Sequence, residues 1–366
     1  MKRAGKRIIG AIVFWAIVLS LIIIIGPFFR PWDSENDSWH YYYAEEKDSV
    51  SVLVIGSSAI YRYWIPPQAY EEQGFTSFMI AQGSQPIEAV PYIMEEAVKT
   101  QDPDVIVVET RQAIADRAKM NRGTYNQEKV TYAFSRVASG MRPSLVRAQM
   151  IDDVLVEDDG NKKLEWIFPL LKYHDNVLKF SPSQVKERLT LGKQPLKGAD
   201  QIAQVVPYTQ PTGFDDKAYA LDEQDKKNID LIAEKAKELN KELVFVATPY
   251  VTTSYRYSLQ LDMDAYMEEK GYTYVDLQER YEELGLNFET DFYNTNHVNI
   301  AGAKKVTSYL AEFLSDHYEL RKALPEDRKR EWDQVLAEWK EEEKALLTEW
   351  EENCKIVEEE AMSSVK

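Results

Sequence analysis

Cysteine and histidine are scarce in this chain of 366 residues, and basic residues are outnumbered by acidic ones. The single cysteine, Cys354, excludes an intrachain disulfide and a zinc site built from several thiolates. With 61 acidic against 44 basic residues the formal net charge is −17, which argues against nucleic-acid binding because phosphates require a basic surface. Walker and Rossmann glycine patterns and the His-Glu-x-x-His spacing are also missing, so neither a cofactor nor a metal site is predicted.

Ionisable side chains are missing altogether from residues 8–29, which follow a basic tip. A helix rises about 1.5 Å per residue, so roughly 20 apolar residues cross a hydrocarbon core of about 30 Å. Basic residues before the apolar stretch and acidic ones within 33–37 predict a cytoplasmic N-terminus. The stretch ends in Gly-Pro-Phe-Phe rather than a small-x-small cleavage site, so a retained anchor over 1–30 is favoured over a signal peptide. The remainder is expected to lie outside the cytoplasm, at the cell membrane.

Short β-branched runs alternate with helical patterns after a linker at 31–47. The runs occupy Val50–Ile55, Thr76–Ala81, Asp104–Glu109, Glu242–Ala247 and Tyr272–Asp276. Apolar residues recur along one helical face between Asp222 and Asn240 and again after His297. Strands separated by helices predict an α/β domain with a central parallel sheet over residues 48–320.

Two segments depart from this alternation. Residues from about 113 to 221 mix basic and aromatic side chains, and they are interpreted as a helical insertion, either a lid over a site or a peripheral layer. Residues 325–362 are highly charged and predict a helical extension with a coiled-coil-like seam of Trp332, Leu336, Trp339, Leu346, Trp350 and Val357. The default is that this seam packs on the domain; pairing with a second copy and binding another envelope protein are the alternatives.

The tripeptide Gly56-Ser57-Ser58 directly follows the first predicted strand. In open α/β sheets ligands bind outside the carboxyl ends of the strands, so Ser58 can present its hydroxyl there beside backbone N–H groups. Taken alone, the motif indicates no more than serines capping the next segment.

His297 is the best candidate for a base that activates Ser58. A serine hydroxyl is a poor nucleophile until a neighbouring group removes its proton, and histidine suits that role near neutral pH. His297 stands just before the last predicted helix, again at a loop-to-helix junction. The other histidines lie in the linker, in the insertion and beyond the apolar face of that helix, at His40, His174 and His317.

The blocks Gly56-Ser57-Ser58, Gly83 after the second strand, and Asn294-Thr295-Asn296-His297 resemble those of the SGNH hydrolases over roughly residues 48–318. The resemblance implies a flavodoxin-like three-layer sandwich in which Ser58 is the nucleophile, His297 the base, and the amides of Ser58 and Gly83 the oxyanion donors. Gly-Ser-Ser in a membrane-anchored chain more narrowly resembles the DltD-like branch, which is associated with D-alanylation of teichoic acids.

The sequence departs from the family pattern at the residue that orients the histidine. The aspartate expected three residues before it is Asn294, which can accept a hydrogen bond from imidazole but cannot supply negative charge. Asn294, ranked slightly first, and Asp291 are both candidates for this role, and a Ser-His dyad stays open.

A second departure concerns the oxyanion donors. In place of a Gly-x-Asn-Asp block the third strand leads into Val108-Glu109-Thr110-Arg111-Gln112. Arg111 or Gln112 is therefore a candidate donor, although an ordinary surface ion pair between Glu109 and Arg111 is the more frequent arrangement. Gln85, in the loop after the second strand, is a candidate pocket residue.

These observations predict an extracytoplasmic serine esterase or O-acyltransferase that passes a small acyl group, acetyl or D-alanyl, through an acyl-Ser58 intermediate. The expected partners are a cell-envelope glycopolymer or a small acyl ester, the membrane, and a membrane-bound acyltransferase. The competing hypothesis is a non-catalytic scaffold of SGNH-like fold in an envelope complex, motivated by Asn294, the atypical third block and the helical extension.

Overall fold

The architecture was obtained as a computed structural model, which describes residues 2–29, 38–114, 134, 137–155, 162–179, 182–183, 186, 189, 196–210, 212–214 and 219–364. Part of the predicted linker, at 30–37, and several stretches of the predicted insertion lie outside the described residues. The described chain is an α/β protein with a central parallel sheet of five strands and one N-terminal apolar helix. The prediction of an α/β fold with a parallel sheet is confirmed.

The central sheet has the strand order β2-β1-β3-β4-β5, and every neighbouring pair in it is parallel. The strands are β1 (Val52–Gly56), β2 (Ser77–Ala81), β3 (Val105–Glu109), β4 (Glu242–Ala247) and β5 (Tyr274–Asp276). Every residue of β1, β2 and β3 is buried, as continuous apolar strands of parallel sheets are. A separate antiparallel pair is formed by β6 (Phe292–Asn294) and β7 (His297–Val298).

Helices surround the sheet and extend from it at both ends of the chain. They are α1 (Lys2–Ile25), α2 (Ser38–Ala44), α3 (Ser58–Tyr61), α4 (Pro66–Gln73), α5 (Val90–Ala97), α6 (Arg111–Ile114), α7 (Leu145–Val154), α8 (Lys163–Ile167), α9 (Pro169–Tyr173), α10 (Glu223–Glu238), α11 (Ser254–Lys270), α12 (Ile300–His317) and α13 (Glu326–Ser364). Short 3-10 turns occupy Gly26–Phe29, Ile87–Ala89 and His174–Lys179.

The two faces of β1 contribute to two different hydrophobic clusters, because successive side chains of a strand point to opposite sides. Leu53 and Ile55 pack in one cluster with the apolar faces of α5 and α10. Val52 and Val54 pack in the other with α4, α12 and Trp339. Each such aliphatic side chain stabilises the fold by roughly 1.5–3 kcal/mol when fully buried. This packing fixes β1, and hence the turn that follows it, in the middle of the sheet.

The first part of α13 packs on the domain. Trp332 and Trp339 are 2% and 0% exposed, and the indole of Trp350 donates to the carbonyl of Thr290 at 2.9 Å. The polar seam position Glu343 is buried and pairs with two lysines, Lys304 and Lys340. The seam is therefore occupied intramolecularly as far as Asn353, whose side-chain amide donates to Ala203 O at 3.1 Å.

The apolar helix α1 carries a candidate membrane span, Gly5–Ile25, of 21 residues, and the most apolar window of this span has a mean hydropathy of 3.1. None of its most apolar window is buried against the rest of the described chain. The stretch is long and apolar enough to span a membrane.

Candidate active site

The turn between β1 and α3 holds Ser58 at the carboxyl edge of the sheet. A Cβ atom at Gly56 would lie 2.7 Å from the Cβ of Glu109 and 2.9 Å from Cγ2 of Ile60, so a larger residue does not fit there. Ser57 caps α3: its Oγ accepts from the amide of Ala59 at 3.2 Å and donates to Oε2 of Glu109 at 3.0 Å. Ser57 is thus used structurally, and Ser58, half-buried, begins the helix.

His297 lies directly opposite Ser58, with Nε2 2.8 Å from the serine Oγ. Its Nδ1 lies 2.9 Å from Oδ1 of Asn294, its partner across the β6–β7 pair. The amide of Asn296 donates to the same Oδ1 at 2.8 Å, which fixes that atom as the acceptor. Because an amide oxygen only accepts, Nδ1 carries the proton and Nε2 is left to accept from the serine hydroxyl. The arrangement is a hydrogen-bonded chain from Ser58 through His297 to Asn294.

Burial, first, and the nearby charges of Arg111 and Arg62 together lower the pKa of His297 from 6.5 to about 3. The imidazole is therefore neutral at neutral pH and able to take a proton. A carboxylate in the place of Asn294 would oppose this shift, whereas the neutral amide does not.

Asp291, the second candidate for orienting His297, is engaged elsewhere. Its Oδ2 accepts from the amide of Asn287 at 2.8 Å and pairs with Nζ of Lys305 at 2.7 Å, while Oδ1 accepts from the Thr290 hydroxyl. The carboxylate is 1% exposed and braces the loop before β6. Of the two candidates, the structure brings Asn294 and not Asp291 to the imidazole.

Arg111 is buried below the loop that carries His297. Its guanidinium donates to the carbonyl oxygens of Asn296, Thr248 and Pro249. The carboxylate of Glu109, also buried, accepts from the backbone amide of Arg111 at 2.6 Å, and its pKa is raised by burial. The surface ion pair weighed from the sequence is therefore wrong, and Arg111 is a brace that joins the ends of β3 and β4 to the His297 loop.

The loop after β2 lies beside the Ser58 turn. Ala81 pairs with Gly56 across β1 and β2, and the amide of Gln82 donates to Gly56 O at 3.3 Å. Gly83 is thus placed at the same edge as Ser58, and its role as an oxyanion donor stays a prediction. Gln85 is 2% exposed and its side-chain amide lies 3.4 Å from Ile80 O, so it contacts the strand backbone.

Aromatic and basic residues that the sequence did not single out complete the surroundings of His297. The Tyr293 ring stacks on the imidazole with centroids 5.5 Å apart and planes at 15°, and the Arg62 guanidinium lies 5.5 Å from the Tyr293 centroid. The Tyr63 hydroxyl donates to Asn296 O at 2.9 Å. Arg62 follows Ser58 by four residues, one helical turn, and Tyr293 adjoins Asn294; these spacings are the sequence signals by which they could have been found.

A polar cavity of about 390 Å³ borders this edge of the sheet. It is lined among others by Tyr61 at the end of α3, Ala81 at the end of β2, Gln201 and Glu342. A larger cavity, of about 640 Å³, is lined by Glu242 and Thr273 at the opposite, amino ends of β4 and β5, away from Ser58. Neither Ser58 nor His297 is among the residues that line these two cavities.

In the part of the chain that the structure describes, no group of three or more histidine, cysteine or acidic side chains is placed to hold a metal ion. A comparison with protein-family models finds no match, and a comparison with curated proteins finds none either.

Proposed function

We propose that this protein is an extracytoplasmic serine esterase or O-acyltransferase of SGNH type, similar to the DltD-like branch, acting on acetyl or D-alanyl groups of cell-envelope polymers. The observation that carries the proposal is the hydrogen-bonded chain of Ser58, His297 and Asn294 at the carboxyl edge of a parallel sheet. The two hydrophobic clusters on the faces of that sheet support a flavodoxin-like three-layer sandwich.

In the proposed reaction the Ser58 Oγ attacks the acyl carbonyl while Nε2 of His297 takes its proton. The amides of Ser58 and Gly83 hold the developing oxyanion, an arrangement that supplies about 10²–10³ in rate per donor. The tetrahedral intermediate then expels the alkoxide, which takes the proton back from Nε2 and leaves an acyl-Ser58 ester. Water or a polymer hydroxyl resolves the ester by the same steps in reverse, and exclusion of water favours transfer.

The position of the site supports a substrate close to the membrane. We place α1 across the membrane with its N-terminus in the cytoplasm and the remaining domain outside. Phe29 and Ser38 are nine residues apart, which limits their separation to about 30 Å. The Ser38 hydroxyl donates to Ala81 O at 3.1 Å and accepts from Gln82 at 2.9 Å, so Ser38 lies at the edge that carries Ser58. A membrane-associated glycopolymer fits this location, as does a membrane-bound acyltransferase that supplies the acyl group.

The test is covalent labelling of the full-length chain with a fluorophosphonate, followed by mapping of the adduct. We expect one adduct, on Ser58, that disappears in Ser58→Ala. The adjacent Ser57→Ala is the matched control: Ser57 is buried and hydrogen-bonded, so this variant should lose stability and keep the adduct. Absence of an adduct, or an adduct that survives Ser58→Ala, contradicts the assignment of the nucleophile.

A non-catalytic scaffold is the second candidate, and Asn294 favours it because no carboxylate meets His297. This hypothesis predicts no acyl adduct and a partner complex held by the end of α13. Because Trp332 and Trp339 are buried on the domain, the deletion that tests it has to begin after Asn353. Loss of a crosslinked envelope complex in that deletion, together with absent labelling of Ser58, would favour the scaffold over the enzyme.

A further inference from the structure

The short helices of the predicted insertion pack against the end of the apolar helix α1. A Cβ atom at Gly26, the residue after α1, would lie 3.4 Å from the amide nitrogen of Leu170 and 3.6 Å from Cδ of Pro169. Three residues on, Phe29 O accepts from the side-chain amide of Asn176 at 2.9 Å. The helix α9 and the 3-10 turn after it are therefore in contact with the point at which the chain leaves α1.

The same short helices are fixed to the body of the domain. Arg147 of α7 is 4% exposed, and its guanidinium donates to Trp166 O at 2.7 Å and to Ile167 O at 3.3 Å. The Trp166 side chain is 3% exposed and lies edge-on to Phe134, with 6.0 Å between centroids, inside the cluster that covers one face of the sheet. Helices α8 and α9 thus connect the end of α1 rigidly to the core.

Two leucines on these helices present apolar surface outward. Leu164 of α8 is 62% exposed and Leu171 of α9 is 54% exposed, although both helices bury other residues. Residues 162–176 carry three lysines against two acidic residues, in a chain whose formal net charge is −17. Lys163 pairs with Asp152 and Nζ of Lys172 lies over the Trp166 ring, so the two exposed leucines, rather than the lysines, are the feature typical of a surface at a bilayer interface.

We propose that Leu164 and Leu171 insert into the outer headgroup and acyl boundary of the same bilayer that α1 crosses, so that α8 and α9 form a lipid-seated face. The inference rests on the proposed membrane location of α1. Continuity with the membrane-spanning helix identifies the occupant as lipid. Helix α9 contacts the end of α1 and α8 directly precedes α9 in the chain, so both lie close to the level of the phospholipid headgroups. The face therefore meets lipid, and no additional protein is required to cover it.

The test uses nitroxide labels on the full-length chain in lipid-only nanodiscs of phosphatidylglycerol and phosphatidylethanolamine. With Cys354→Ser as background, single labels are placed by Leu164→Cys and Leu171→Cys. Leu231→Cys is the matched control, an exposed leucine of α10, and Ile17→Cys reports the middle of α1. We expect collision with a water-soluble nickel chelate, relative to oxygen, to be several-fold lower at positions 164 and 171 than at 231.

The outcomes distinguish the proposal of a lipid-seated face from the proposal that α1 spans the membrane. If position 17 is protected from the nickel chelate while 164 and 171 are as accessible as 231, the lipid-seated face is overturned and the anchor stands. If position 17 is itself accessible, the membrane location in the proposed function fails. Protection of 164 and 171 that appears only after another membrane protein is added also overturns the inference, because the face then belongs to a protein partner. Accessibility at positions 164 and 171 is interpreted separately from accessibility at position 17. The covalent labelling of Ser58 does not depend on either result.

Discussion

The amide oxygen of Asn294 meets Nδ1 of His297 where the family pattern has a carboxylate. Such an oxygen fixes the tautomer and the orientation of the ring, which are needed before the reaction starts. It does not stabilise the imidazolium that forms when Ser58 loses its proton. In the proposed reaction His297 acts as a weak base in a buried setting, and this determines the expected pH dependence.

The acidic limb of kcat/KM should lie well below pH 6.5. Because burial and the charges of Arg111 and Arg62 lower the pKa of His297 to about 3, the neutral base persists as the pH falls. The unfolded chain takes up the proton first, so His297 opposes folding increasingly as the pH drops from 6.5 toward about 3. Rates with a small aryl acetate across this range, corrected for unfolding, measure the limb. A limb near 6.5 contradicts the buried environment of the imidazole.

Asn294→Asp should raise the pKa of His297 and stabilise the imidazolium. We expect the acidic limb to move upward by about 1–2 on the pH scale and the rate at neutral pH to increase roughly tenfold. Asp291→Asn is the control, since that carboxylate binds Lys305 and Asn287 instead. This control should cost stability and leave the limb in place. A variant Asn294→Asp with an unchanged pH profile would show that the ring does not depend on position 294.

Ser58 and His297 are recognisable from the sequence because Ser58 follows the end of a strand and His297 precedes the start of a helix. Asn294 ranked only slightly above Asp291 on sequence grounds, because the choice depends on the antiparallel pairing of β6 with β7. The role of Arg111 was also out of reach. Its acceptors are backbone carbonyls from separate loops, which leave no mark in the pattern of side chains.

At the scale of elements, a buried lysine joins three parts of the chain that are distant in sequence. Lys197 is fully buried; its Nζ lies 2.8 Å from Oε1 of Glu45 and 3.1 Å from Oε1 of Glu331. Its carbonyl accepts from Met79 N at 2.9 Å, along the edge of β2. The lysine thus ties the start of the domain and α13 to the sheet edge.

Lys197→Met should lower the free energy of unfolding by about 3–5 kcal/mol, since two carboxylates are left in a buried site without their cation. Lys47→Met is the matched control, because Lys47 pairs with Asp48 and both side chains are exposed, 77% and 43%. The control should cost no more than about 1 kcal/mol. Urea unfolding followed by circular dichroism compares the two variants. Equal losses would contradict the special position of Lys197.

Helices with a regular apolar face could be predicted from the sequence, whereas the structure of the insertion could not. The helices Asp222–Asn240 and the one after His297 were recognisable because one face of each is apolar, and the structure has helices at Glu223–Glu238 and Ile300–His317. The insertion had no such periodicity. Its described part is divided: α9 contacts the end of α1, whereas Asp200 pairs with Arg62 beside the site at 2.8 Å. Neither a lid nor a peripheral layer describes both halves.

At the scale of the whole molecule, the two ends of the chain meet the same domain. The alternation of strands and helices was enough to predict a parallel sheet. The strand order was not predictable, because it depends on which crossover connections bury the most apolar surface. The overall composition also did not predict the charges at the site. The formal net charge is −17, yet the charges that act on His297 are the positive ones of Arg62 and Arg111.

Truncation of the C-terminal helix should have two different effects. Ending the chain after Asn353 removes residues that include the exposed Ile356 and Met362, and it should change the free energy of unfolding by less than about 0.5 kcal/mol. Ending it after Leu324 uncovers the buried site of Trp339 and should give an unfolded or aggregated product. Thermal unfolding of the two truncated chains tests this. A stable chain that ends at Leu324 would show that α13 is dispensable for the core.

The contact between Gly26 and α9 has a consequence for how the protein meets its substrate. A domain joined to a membrane-spanning helix by a flexible linker would vary in its height and tilt relative to the bilayer. In the proposed orientation the domain contacts the end of α1, so its height and tilt stay constant. In the proposed orientation Ser58 travels in a thin layer parallel to the bilayer, and its encounters depend on the surface density of polymer rather than on its bulk concentration. Only the polymer units that pass through this layer would be acylated, so their distance from the membrane would determine which units are modified.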